Sequence, residues 1–184
     1  MRTRPGAALL IATACLSGCG FGGADNVGVP TFNVSGTVSG LTGAGLVLQL
    51  NGGGNLGVTT NGVFTFATRL ANGAAYSARV LAQPSTPSQT CTVTNGSGTV
   101  ASANVASINV SCTTNSFTIG GAVSGLLGAG LVLQNNGGNN LAISANGAFI
   151  FSTPILSGTT YAVTVLTQPS GPAQSCIVTA VPAR

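Results

Sequence analysis

The stretch Val38-Ser-Gly-Leu-Thr-Gly-Ala-Gly-Leu-Val-Leu-Gln49 decides the fold, because it returns almost letter for letter at residues 123–134. The offset is 123 − 38 = 85, and it also carries Asn61-Gly62 to Asn146-Gly147 and Tyr76 to Tyr161. Gln83-Pro84 recurs in the same way as Gln168-Pro169, and Cys91 as Cys176. A constant offset without gaps means one folding unit used twice.

Working outward from that stretch, Phe32, Val34 and Val38 alternate with polar residues and Gly36 shares their face, the period of a half-buried strand. Leu46, Leu48 and Leu50 make a second strand after the turn at residues 43–45, and Leu56 and Val58 a third. Asn61-Gly62 is expected to supply the positive φ angles of a tight hairpin before Phe64 and Phe66. Asn72-Gly73 turns the chain into Tyr76, Ala78 and Val80, and two more strands carry Cys91 with Val93 and then Ile108, Val110 and Cys112. About seven short strands in ~83 residues is the usual allotment of a β-sandwich. Phe117, Ile119 and Val123 restart the pattern after the link Thr114-Asn115.

By the same offset the partner of Cys112 falls at 112 + 85 = 197, beyond residue 184. The expectation is therefore an all-β chain of two tandem ~85-residue β-sandwich repeats, residues 31–113 and 116–184, the second lacking its last strand. Composition agrees: 44% of residues are hydrophobic and 3% charged, the reverse of a disordered chain.

The formal charge of +4 rests on five arginines against Asp25, with no Lys, Glu or His. Arg2 and Arg4 open the chain, which leaves Arg69, Arg79 and Arg184 scattered. That is no electrostatic stripe, so no nucleic-acid partner is expected. General acid–base work needs a titratable group near the operating pH, and an activated Ser or Thr needs a base. Past Cys19 there are one Asp, two tyrosines and no His or Lys. A catalytic site, a cofactor and a calcium or zinc site are therefore not expected. The Gly/Asn loops at residues 51–55 and 136–140 lack the Lys-Ser/Thr of a phosphate loop and read as turns. Tyr76 and Tyr161 read as core tyrosines.

The N-terminus has its own pattern. Arg2 and Arg4 precede an apolar run at residues 7–15 that is shorter than the ~20 residues of a membrane span. Leu16-Ser17-Gly18-Cys19 follows and resembles the lipobox of bacterial lipoproteins. The resemblance implies a signal peptide over residues 1–18, cleavage before Cys19 and a diacylglyceryl group on its thiol. Gly20, where an Asp would favour inner-membrane retention, implies the outer membrane. Residues 19–30 then read as a flexible tether with a root-mean-square span of roughly 20 Å.

The order Gly-x-Val, Gly-Leu-Val-Leu, Asn-Gly-x-Phe-x-Phe and Leu-x-x-Gly-x-x-Tyr, closed by an alternating Val strand, resembles bacterial immunoglobulin-like and transthyretin-like (carboxypeptidase-regulatory-type) surface repeats. These elements are turn and core chemistry, so the resemblance implies a fold and a stalk or spacer role, not an activity.

Cys91 and Cys112 share the inward parity of Val93, Ile108 and Val110, and a disulfide between them is the economical assignment in an oxidising envelope. Cys176 is left over. It is open to three readings: a tolerated truncation, a homodimer through Cys176, or a partner chain that donates a strand to the open edge of the second repeat. The leading expectation is a non-catalytic structural, spacer or protein-interaction lipoprotein held to the membrane through Cys19. The alternative is a weak carbohydrate-binding or strand-accepting module.

Overall fold

A computed structural model describes residues 28–179. Cys19, the signal segment and residues 19–27 of the tether lie outside the described residues, as do residues 180–184.

All regular elements among the described residues are strands. The first repeat holds β1 (Thr31–Phe32), β2 (Val34–Ser39), β3 (Leu46–Leu50), β4 (Gly54–Val58) and β5 (Gly62–Thr65). It continues with β6 (Leu70–Ala71), β7 (Ala75–Ala82), β8 (Gln89–Thr94), β9 (Ser97–Thr99) and β10 (Val105–Thr114). Two four-stranded sheets result, in the orders β5-β2-β10-β8 and β4-β3-β7-β9, with β1 and β6 paired beside them. All pairings are antiparallel except β10 with β2.

Alternation in sequence becomes alternation in burial. Val34 and Val38 on β2, Ile108, Val110 and Cys112 on β10, and Phe64 on β5 face Leu46, Leu48 and Leu50 on β3 and Tyr76 and Ala78 on β7. A fully buried side chain of this size contributes ~1.5–3 kcal/mol, so this stripe supplies most of the drive to fold. Phe64 and Phe66 meet edge-on at 5.5 Å between ring centroids. Gly36 is on the buried face of β2 because a Cβ there would run into the Ile108 carbonyl and the Phe64 ring.

The second repeat copies this plan in part. Its strands are β11 (Ser116–Phe117), β12 (Gly120–Val123), β13 (Leu131–Asn135), β14 (Asn139–Ile143), β15 (Gly147–Ile150), β16 (Ile155–Leu156) and β17 (Val163–Thr167). β1, β3, β4, β5 and β6 recur at the offset of 85 as β11, β13, β14, β15 and β16. The pairings are β12 with β15, β11 with β16, and the sheet β14-β13-β17. Leu126, Leu131, Leu133, Ile143 and Phe151 form a smaller core, and Phe149 and Phe151 meet edge-on at 5.7 Å.

Three expectations are corrected. Asn61-Gly62 is not a hairpin: β4 and β5 lie in different sheets, so the chain crosses the sandwich there. Gly62 does take φ 120°, but Asn61 is needed for its side chain, which accepts from the Leu41 amide and donates to the Leu41 carbonyl, both at 2.8 Å. The strand count rises from seven to ten, because β1, β6 and β9 are too short for periodicity to reveal. Tyr161 is 55% exposed, whereas Tyr76 is buried beneath Gly98 of β9. The counterpart of Gly98, at 98 + 85 = 183, is outside the described residues.

One residue joins the repeats. Asn115 donates its amide to the Ser88 carbonyl at 3.0 Å and accepts from the Thr90 hydroxyl at 2.8 Å. Its own carbonyl accepts the Ser157 amide of the second repeat at 2.7 Å, and the Ser157 hydroxyl accepts the Ser88 amide at 2.9 Å.

Cys91 and Cys112 form the expected disulfide, bridging β8 and β10 across a sequence separation of 21. Replacing both by Ser is expected to destabilise the first repeat by about 3 kcal/mol, roughly 12–24 °C in calorimetry, while the transition of the second repeat stays in place. In the second core, Asn135 stands where β3 has Leu50, and it is buried with no hydrogen-bond partner for its side-chain oxygen. Asn135→Leu is expected to raise the urea midpoint of the second repeat by the equivalent of about 1–3 kcal/mol, because an orphaned polar atom is exchanged for apolar packing.

Candidate functional site

β10 comes last in the first repeat's sequence, yet it lies inside its sheet. β2 pairs with one side of it and β8 with the other. The sequence predicts that the second repeat lacks a last strand and so has an open edge. Among the described residues β12 pairs with β15 alone, and residues 174–179 belong to no sheet.

Residues 174–179 match β8 in sequence but adopt no strand, whereas β8 makes its ladder with β10. They are nevertheless held in place. Gln174 accepts the Leu127 and Gly128 amides at 2.7 and 2.8 Å and donates to the Gly125 carbonyl at 2.8 Å. Gln89 makes the same three bonds to Thr42, Gly43 and Gly40. The Gln168 side chain accepts the Cys176 amide at 2.8 Å and donates to its carbonyl at 3.1 Å, as Gln83 does for Cys91. Five bonds at one offset therefore position residues 174–176 where β8 begins.

These bonds fix which way the backbone faces. Along an extended chain, successive amide and carbonyl groups point to opposite sides. Both groups of Cys176 are turned to Gln168, and an extended course through Ser175 and Ile177 would turn theirs the opposite way. In the first repeat the equivalent Thr90 and Thr92 face Thr113 and Ser111 of β10.

The side chains tell the same story. Val34, Val38 and Phe64 are buried, but their counterparts Ile119, Val123 and Phe149 are only partly covered. Cys176 packs inward against the second core and has no disulfide partner among the described residues. Ile177 is 80% exposed. Gly121 keeps the glycine of Gly36, and a Cβ there would crowd the Phe149 ring at 3.1 Å. No charged residue occurs between residues 116 and 179, so the site is neutral as well as apolar.

The other sequence features resolve into structure. Asn51 and Asn136 adopt φ 50° and 51° in their turns, and their side-chain oxygens accept the Ser77 and Ala162 amides at 2.7 and 2.8 Å. Arg69 and Arg79 are exposed, donating to the Thr31 carbonyl and to Gln49 respectively. Among the described residues no cluster of His, Cys, Asp or Glu could hold a metal ion, and no helix is long and apolar enough to cross a membrane. Sequence reasoning missed Gln168 and Gln174 as positioning residues; the available signal was their recurrence beside Cys176 at the shared offset.

No family model, curated protein or solved structure matches the chain.

Hydrogen exchange checks the backbone assignment. The Ser175 and Ile177 amides are expected to exchange more than about a hundredfold faster than those of Thr90 and Thr92, and the Cys176 amide more slowly than its two neighbours. Gln168→Ala is expected to erase that difference at Cys176.

Proposed function

We propose that this chain is a non-catalytic lipoprotein of the bacterial cell envelope, acting as a structural spacer or protein-interaction module anchored at Cys19. The observation that carries this reading is the joint at Asn115. A one-residue link, hydrogen-bonded to Ser88 and Thr90 on one side and Ser157 on the other, restrains the second sandwich against the first. Hinge-like freedom between sandwiches would need a longer, unbonded linker. The tether of residues 19–30 would lift this unit off the headgroups.

The anchor rests on Leu16-Ser17-Gly18-Cys19. Each buried CH₂ contributes ~0.8 kcal/mol, so a diacylglyceryl group with a further acyl chain holds a domain stably where one chain does not. A sugar-binding reading has less support. The loop asparagines Asn51 and Asn136 already use their side chains within their own turns, and the chain has no Trp to stack on a sugar ring.

Cys19→Ser is expected to move the protein from the detergent-extracted membrane fraction to the soluble fraction almost completely. Intact-mass measurement of the native protein is expected to show the diacylglyceryl addition on a chain beginning at Cys19. Unchanged partitioning of the variant would refute the anchor.

A further inference from the structure

Asn-Gly pairs occur in the chain at residues 51–52, 61–62, 72–73, 95–96, 136–137 and 146–147. All of these asparagines are exposed, so exposure does not separate them. Their hydrogen bonds do. Asn61 and Asn146 each bond both the amide and the carbonyl of one residue, Leu41 and Leu126 respectively. Asn51 and Asn136 each accept one backbone amide and donate to one backbone carbonyl. Asn72 accepts the Ser102 amide at 2.8 Å, and the Gly73 amide beside it donates to the Val100 carbonyl at 2.8 Å. Asn95 differs. Among the described residues its side chain makes one bond, from Nδ2 to the Ser107 carbonyl at 3.2 Å, and the Gly96 amide has no backbone partner.

We infer that Asn95 is a self-modification site, which cyclises onto the Gly96 amide and converts to aspartate and isoaspartate, releasing the turn between β8 and β9. The step needs no oxidant, and its only co-reactant is water. The Gly96 nitrogen loses its proton and attacks Asn95 Cγ, so an N–Cγ bond forms. The Cγ–Nδ2 bond breaks, and Nδ2 leaves with a proton as ammonia. Water then opens the five-membered imide at one of its two carbonyls. One opening gives aspartate, and the other gives isoaspartate, with the main chain running through the former side chain.

Cyclisation needs Cγ free to swing onto the glycine nitrogen, so every side-chain bond of the asparagine must break first. At Asn51, Asn61, Asn136 and Asn146 that means two bonds, and at Asn95 one. At Asn72 the nucleophile itself is engaged. Packing also keeps the reactive glycine in place, because a Cβ at residue 96 would come 2.6 Å from the Ala78 carbonyl. A residue without a side chain therefore follows Asn95 for structural reasons, and its amide is an unhindered nucleophile.

The position of the turn gives the conversion a consequence. β8 lies in the sheet of β10 and β9 in the sheet of β7, so residues 95–96 cross the sandwich. The Gly96 carbonyl accepts the Ala78 amide, and Gly98 lies against the Tyr76 ring. A carboxylate at residue 95 cannot donate, and it would face the Ser107 carbonyl acceptor to acceptor. Isoaspartate also adds a methylene to the main chain of the turn. Either product removes the bond that ties the turn to β10.

The test incubates the mature chain at mildly alkaline pH, both folded and in urea. Digestion and mass spectrometry then locate aspartate and isoaspartate at each Asn-Gly pair. In urea all the pairs share one local chemistry, so the rate there is the reference for each. In the folded chain Asn95 is expected to convert within about tenfold of its reference, and the other pairs at least about a hundredfold below theirs. The rate at Asn95 is expected to rise with pH, because the Gly96 nitrogen attacks in its deprotonated form. Asn95→Gln is expected to suppress conversion at this position, since its ring would need a sixth member. Another pair converting as fast as Asn95 would overturn the site, as would protection of Asn95 equal to theirs.

Asn95→Asp reproduces one product directly. It is expected to speed exchange of the Ala78 amide about tenfold and to lower the melting temperature of the first repeat, with the transition of the second repeat unmoved. The aged native chain is expected to show the same changes in proportion to its conversion. Unchanged exchange at Ala78 in both would overturn the release of the turn.

Discussion

The backbone of β10 is the element on which the first repeat depends. Its amides and carbonyls serve β2 on one side and β8 on the other, while Ile108, Val110 and Cys112 press into the core. Buried backbone groups must be paired, so an interior strand cannot be removed without leaving two rows of donors and acceptors open. The disulfide to Cys91 adds a covalent hold on this strand, and Gly36 gives up its side chain so that the strand can approach.

The second repeat, as far as the described residues run, shows which parts of the fold form before that strand is reached. The three-stranded sheet β14-β13-β17 forms, since its ladders are local hairpins and a return strand. On the other side, β12 and β15 still pair, and the edge-on phenylalanines keep their geometry. The β8 match, residues 174–179, forms no ladder among the described residues, and the side-chain amides of Gln168 and Gln174 hold its first residues in place.

Much of this was legible in the sequence, and for identifiable reasons. Period-two patterns located the longer strands, and the inward parity of Cys91 and Cys112 predicted their bond. The offset of 85 placed the elements of the second repeat on those of the first, from β11 on β1 to β16 on β6. Less visible were β1, β6 and β9, because two or three residues carry no period. Asn61-Gly62 misled because a hairpin and a crossing between sheets use the same turn chemistry. The difference lies in what the next strand pairs with, and that partner, Ser35–Val38 of β2, is distant in sequence.

The sequence by itself determined that the chain is all-β, that one unit is used twice, and which residues of each strand face inward. Alternation and spacing are local properties, and a strand's inward face follows from them whatever its neighbours are. Only the tertiary structure decided the order of strands in each sheet, and with it that the last strand of the unit is an interior one. Pairing between strands is made by backbone groups that are the same in every residue, so sequence barely marks it. Cys176, unmatched in the sequence, packs in three dimensions against the second core, with both its backbone groups bonded to Gln168.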